Sequence, residues 1–202
     1  MERRSLEVVS VAILALVAIV VFYRVYSFGQ ERFFTVDEYQ YAHATWLVSE
    51  GERPYVDFYE HHFPLSYVAH APLVWADGAF AEKALRLRAL VFGYLLGVSL
   101  LLGWATWRRT RDRCASLLAL AFPAAFGFSL MSAVDYRADN FGAYLFVGGW
   151  CLLDANRAES GKRGFAVLAG VALGLAVLMT QKMLFVAGAS ALLALAYDRF
   201  RA

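Results

Sequence analysis

The stretch Thr35–His62, TVDEYQYAHATWLVSEGERPYVDFYEHH, is polar and aromatic, and hydrophobic runs bracket it on both sides. It gathers Asp37, Glu38, His43, Arg53, Asp57, Glu60, His61 and His62 into one short segment of a chain that is otherwise mostly hydrocarbon, so the chemistry is expected here. Thr35 followed three residues later by Glu38 has the form of a capping box, in which the hydroxyl and the carboxylate each satisfy an amide at a helix start. That spacing predicts a helix beginning at about Val36. Gly51 supplies the left-handed residue that closes a helix, and Pro54 prevents its resumption. Asp37 therefore falls in the first helical turn.

Outward from this stretch, composition sets the class. The chain is 60% hydrophobic, against roughly 45–50% in soluble domains, and its mean hydropathy is +0.51. An integral membrane protein is expected. A formal charge of +2 is too small to point to nucleic acid, so the placement of charges matters more than their sum. Cys114 and Cys151 both fall inside apolar runs, which argues against a disulfide or a cysteine metal site. Val8–Tyr23 is apolar throughout and no small-x-small cleavage site follows it, so it reads as a retained signal anchor.

A spanning helix needs about 20 mostly apolar residues. Val8–Tyr23, Ala89–Trp107, Cys114–Val134, Gly164–Gln181 and Met183–Tyr197 come near that length. Phe141–Leu153, bounded by Asp139 and Asp154, is a sixth span if its ends reach into the interfaces. Phe63–Ala76 decides the topology, because counting it as a span reverses everything after it. If it does not span, eleven of the nineteen lysines and arginines collect on the cytoplasmic side. They are Arg3 and Arg4, then Arg108, Arg109, Arg111 and Arg113, then Arg157, Lys162 and Arg163, then Arg199 and Arg201. If it spans, the last three groups move outside. Its two prolines, His70 and Asp77 also suit a helix lying in the interface better than a span.

The expected fold is therefore all-α and polytopic, a single transmembrane domain over residues 1–202 with six spans and both termini cytoplasmic. Its first outer region runs from about Arg24 to Arg88, with residues 29–86 as the catalytic-type loop, and contains two interfacial helices. Two further outer turns follow, Asp135–Asn140 and Thr180–Lys182. The charged outer residues thus come from three separate places at one membrane face. Gly93 with Gly97, and Gly170 with Gly174, are small-xxx-small pairs and read as helix-packing surfaces.

An N-terminal span, then Asp37-Glu38-Tyr39, Gly51-x-x-Pro54-Tyr55-x-Asp57-Phe58 and His62-x-Pro64-Leu65-x-Tyr67, resembles the GT-C glycosyltransferases. The likeness is to the dolichyl-phosphate-mannose mannosyltransferase and lipid A aminoarabinose transferase superfamily. Leu85-Arg86 before the second span resembles the family's arginine at that junction. Arg137-x-Asp139 resembles its acidic element in the second loop, and Gly174-Leu175-x-x-Leu178-x-Thr180-Gln181-Lys182 its span-to-lysine turn. Members usually continue through several more spans, so the chain resembles the N-terminal half of such an enzyme, either a truncated gene product or one part of a split enzyme whose second chain supplies the remainder.

The resemblance implies transfer of a sugar from a polyprenyl-phosphate carrier to a hydroxyl of a lipid, glycan or protein acceptor at the outer face of a membrane. A prokaryotic plasma membrane is the most economical location. Asp37 matches the family's carboxylate in the first outer loop, the base that takes the acceptor's proton. Lys182, Arg137 and Arg86 are the candidate partners of the carrier phosphate. Asp139 and His62, with Glu60 and His61 in support, are candidate ligands for a divalent metal ion.

Plainer roles stand beside these. Asp37 can complement the helix dipole, Glu38 can serve only as the capping partner, and Arg137 and Asp139 can pair with each other. Lys182 can snorkel to headgroups, His43 and His70 can be packing residues, and Arg53 and Asp57 can stabilise the loop. The aromatic residues suit an interfacial belt as well as a sugar or isoprenoid groove. Two other functions keep the fold: a non-catalytic subunit that binds lipid-linked sugar or partners a second chain, and a small transporter. No uninterrupted span carries a charge near its middle, which disfavours the transporter.

Overall fold

The computed structural model describes residues 2–75, 78–126, 132–158 and 163–201, and among these every regular element is helical. The helices are α1 (Glu2–Glu31), α2 (Val36–Ser49), α3 (Leu65–His70), α4 (Phe80–Thr110), α5 (Arg113–Ala125), α6 (Ala138–Ala158), α7 (Arg163–Met179) and α8 (Lys182–Arg201). Lys162, Ala76, Asp77 and residues 127–131 of the expected third span lie outside the described residues.

The local signals act as the sequence implies. Thr35 Oγ1 accepts the Glu38 amide at 3.2 Å, and a Glu38 carboxylate oxygen lies 3.4 Å from the Thr35 amide, completing the capping box of α2. At the other end Gly51 takes a φ of +95°, its amide reaches the Val48 carbonyl and the Glu52 amide reaches Leu47. This is a Schellman closure, and it needs the glycine because a side chain is strained at that φ. The segment expected as one interfacial helix, Phe63–Ala76, is α3 followed by a single 3-10 turn, Ala71–Leu73, because Pro72 cannot donate into a continuing α-helix.

Two helices are long and apolar enough to cross a membrane, Ser5–Glu31 within α1 and Phe80–Thr110. The first buries only 11% of its most apolar window against the rest of the protein and turns Leu6, Val9, Ile13, Leu16 and Ile19 outward. A core helix of a soluble protein would cover those side chains, whereas hydrocarbon solvates them. α4 is 31 residues, about 46 Å at 1.5 Å per residue. Phe80 lies at the end near α2, its ring 5.1 Å from that of Tyr39. Arg108, Arg109 and Arg111 lie at the other, where Arg109 pairs with Asp154 of α6 at 2.6 Å.

The glycine pairs do not act as expected. Among the described residues nothing lies within 4 Å of where a Cβ would stand on Gly93, Gly97, Gly170 or Gly174, so none of them packs closely against another described helix. Gly93 and Gly97 instead line an open apolar groove of about 570 Å³ between α4 and α6, with Tyr94, Tyr144, Leu145 and Gly148. The close approaches use other glycines. A Cβ on Gly149 would stand 2.7 Å from Leu173, one on Gly142 would stand 2.6 Å from Thr180, and one on Gly103 would stand 3.0 Å from Leu120. A small-xxx-small pattern permits contact without specifying that a partner arrives.

Gly149→Ala is therefore expected to destabilise the protein by about 1–2 kcal/mol through overpacking. Gly93→Ala should raise stability by about 0.5–1 kcal/mol through helix propensity. Thermal unfolding of the two variants in detergent checks the opposite signs.

Candidate functional site

The site is built on an arginine that presents nothing to solvent. Arg88 of α4 is fully buried and uses all five of its N–H donors. Its guanidinium donates to both carboxylate oxygens of Glu38, at 2.6 and 2.7 Å, and to the backbone carbonyls of Gly29, Arg32 and Phe33. The Phe34 ring lies 4.0 Å below it. Glu38, also fully buried, accepts the Tyr136 amide at 3.2 Å, and the neighbouring Arg32 pairs with Asp135. One buried ion pair thus ties the end of α1, the start of α2, the wall of α4 and the turn before α6.

That pair fixes the next residues along the chain. Asp37 precedes Glu38 and Arg137 follows Tyr136, and Arg137 meets Asp37 at 2.8 Å. Arg137 also lies 3.9 Å from Asp139, so its main partner is Asp37 rather than Asp139. Lys182 bonds that same Asp139 oxygen, Oδ2, at 2.5 Å, and the Thr180 hydroxyl donates to the other, Oδ1, at 2.9 Å. The outcome is a surface row of alternating charge, Asp37, Arg137, Asp139, Lys182, drawn from the start of α2, the turn before α6, the first turn of α6 and the start of α8. Asp37 and Lys182 are the more exposed members, with side chains 55% and 57% accessible.

A second polar group adjoins the row. Glu60 is buried, and one of its oxygens accepts the amides of His61 and His62 at 2.8 and 3.0 Å and faces His62 Nδ1 at 2.7 Å. Burial pushes the Glu60 carboxyl up, but the hydrogen bonds from the His62 ring and the two amides outweigh it and hold the group below its ordinary value. Gln181 donates to the His61 carbonyl at 3.2 Å, linking this group to the Lys182 turn.

Tyr41 of α2 stands between the two groups, its ring 4.9 Å from His62. Its hydroxyl is pushed well above its ordinary value, first by burial and then by Asp139, with Glu60 and Asp37 adding and Arg137 opposing. The carboxylates of both groups therefore act on one hydroxyl.

Behind the row, Tyr136 contacts Thr45 at 2.8 Å and His70 Nδ1 at 3.1 Å. Burial lowers His70 to about 4, so it is neutral near pH 7. His70 is thus a core hydrogen-bonding residue, while His43 is exposed and stacks with Tyr39 and Trp46. Arg53 and Asp57 pair with each other within the loop at 2.9 Å.

The structure thus brings together Asp37, Arg137, Asp139 and Lys182, with Glu60, His61 and His62 beside them. It does not bring in Arg86, which is exposed and stands near Gly78 and Glu82. Arg88, Tyr41 and Thr180 are the members sequence reading missed. A signal for Arg88 existed: Ala84, Leu87, Val91, Leu95 and Val98 form the buried stripe of α4, position 88 falls on it and position 86 does not.

The histidines and Glu60 offer ligand atoms within 4.8 Å of one another, a donor set suited to a divalent ion. Asp139 is not part of that grouping, and Lys182 and Thr180 occupy its oxygens. With this geometry in view, no family model, curated protein or solved structure matches the chain.

Arg88→Gln removes both close bonds to the buried Glu38 and leaves it only Arg32, 3.8 Å away, which should cost about 3 kcal/mol. Arg86→Gln should cost no more than about 0.5 kcal/mol, as for an exposed position. Unfolding in detergent separates the two arginines.

Proposed function

We propose that the chain is an integral membrane glycosyltransferase of the GT-C type, moving a sugar from a polyprenyl-phosphate carrier to an acceptor hydroxyl at the extracytoplasmic face. The observation that carries this reading is the convergence of Asp37, Arg137, Asp139 and Lys182, from three separate places in the sequence, into one row of carboxylates and cations. A transferase of this kind needs a base beside cations that can hold a phosphate, and the row supplies both in reach of each other.

The reading takes α1, α4, α5, α6, α7 and α8 as six spans. The polar row at one end of the bundle and Arg108–Arg113 at the other support it, as does the cytoplasmic bias of basic residues. α6 is 21 residues, longer than its apolar run, about 31 Å. α2 and α3 then lie at the outer surface, where Tyr39, Tyr59 and Trp75 are exposed at a depth that suits aromatic side chains.

In the reaction, the acceptor oxygen attacks the anomeric carbon while Asp37 takes the proton from that hydroxyl. The bond from the anomeric carbon to the phosphate oxygen breaks, and its electron pair stays on the oxygen. The products are the glycosylated acceptor, with inverted configuration, and polyprenyl phosphate with one more negative charge. Arg137 and Lys182 stabilise that charge as it develops, so the leaving group needs no proton. Glu60, His61 and His62 would hold a divalent ion, which when bound would add positive charge beside the phosphate.

The test is transfer from a panel of radiolabelled polyprenyl-phosphate sugars by the purified protein, beside Asp37→Asn and the exposed control Glu52→Gln. The expected result is activity in wild type and Glu52→Gln, and a loss of at least about a hundred-fold in Asp37→Asn, the scale of a missing general base. Full activity in Asp37→Asn removes the mechanism. Donor binding without transfer in the wild type supports the rival reading, a subunit that binds lipid-linked sugar.

A further inference from the structure

In this structure the proposed base and the proposed phosphate ligands neutralise one another. Arg137 bonds an oxygen of Asp37 at 2.8 Å, and Lys182 bonds an oxygen of Asp139 at 2.5 Å. Across the row, two carboxylates face two cations. An incoming phosphate therefore finds no cation in the row without a carboxylate partner. An acceptor hydroxyl likewise finds one oxygen of Asp37 already bonded.

We propose that Asp37 and the carrier phosphate compete for Arg137, so that donor binding releases the base and the site is armed only when the donor is present. This rests on the transferase reading above and adds an order of events to it. The geometry suits such an exchange. The Asp37 side chain is 55% accessible and the Arg137 side chain 30%, so the pair sits in water-screened surroundings where an ion pair is weak and replaceable. A phosphate offers several oxygens in the fork geometry a guanidinium prefers, while Asp37 meets Arg137 at Nη2 and leaves the Arg137 Nε without a hydrogen-bond partner among the described residues.

The buried pair behind the row makes the exchange local. Glu38 fixes the Tyr136 backbone and its own helix start, so Arg137 and Asp37 part by side-chain rotation with both backbones held. Asp139 keeps Lys182 close while Arg137 moves, since the Thr180 hydroxyl anchors its other oxygen. Before donor arrives, the paired Asp37 does not activate a stray hydroxyl or water.

Competition predicts an effect opposite to that of an ordinary active-site lesion: removing the base should strengthen donor binding. The experiment measures the dissociation constant of farnesyl phosphate, a short polyprenyl monophosphate, for the full chain in detergent. The proteins are wild type, Asp37→Asn, Glu52→Gln, Arg137→Gln and the double variant Asp37→Asn/Arg137→Gln. The expected result is binding about two- to five-fold tighter in Asp37→Asn, the range an exposed ion pair implies. Glu52→Gln, which removes one exposed negative charge elsewhere, should bind as wild type does.

The double variant separates competition from simple repulsion, because coupling through Arg137 must vanish when Arg137 is gone. Equal affinities of Arg137→Gln and the double variant support the proposal. Tightening that persists without Arg137, equal tightening in Glu52→Gln, or no tightening in Asp37→Asn overturns it while leaving the transferase reading intact. Absence of farnesyl phosphate binding in every protein, wild type included, overturns both.

Discussion

A guanidinium sealed from solvent with every N–H bonded is the constraint on which the arrangement of this protein depends. Arg88 and Glu38 are each fully buried, and their mutual bonds are accompanied by three carbonyls, two amides and an aromatic ring. Desolvating two charges is expensive, and such a pair often adds little net stability over an apolar substitute. What it adds here is geometry. An apolar residue at position 88 would pack against α2 but would not hold the carbonyls of Gly29, Arg32 and Phe33, which end α1 and set the path into α2.

The functional surface inherits its order from that core. Two members of the buried network have a chain neighbour in the exposed row: Asp37 beside Glu38, and Arg137 beside Tyr136. The turn before α6 is held further by Asn140, whose side-chain amide donates to the carbonyls of Ser132 and Asp135. Rigid backbones with half-exposed side chains suit a site that must hold its geometry and still exchange partners during a cycle. The apolar groove along Gly93 and Gly97 starts at Ala89, next to Arg88, and runs along the middle of α4 to Leu101.

Sequence reading captured what is local or additive. The capping box of Thr35 and Glu38 spans three residues and the Gly51 closure needs one special φ, so both were readable without tertiary knowledge. Summing hydropathy and basic charge along the chain put the segments of Asp37, Asp139 and Lys182 at one expected membrane face, and which of their side chains pair was not readable from that sum. What escaped depends on which side of a helix faces which neighbour. Arg86 and Arg88 differ by two residues, which on a helix puts them on nearly opposite faces, and only the buried stripe from Ala84 to Val98 distinguishes them. The glycine pairs were misread for the same reason, since Gly149 and Gly142 meet neighbours whereas Gly93 and Gly170 do not. Glu38 was legible as a cap, but its bond to Arg88, fifty residues away, was not.

The central claim is that the polar segments from three parts of the chain face one aqueous compartment, opposite the arginines that end α4. Single-cysteine variants in a background with Cys114 and Cys151 replaced by serine test it directly, using a membrane-impermeant maleimide on intact cells. Tyr59→Cys and Gln181→Cys should label in intact cells, and Arg111→Cys only after the membrane is permeabilised. Labelling of positions 59 and 181 on opposite sides, or of all three only after permeabilisation, would contradict the account.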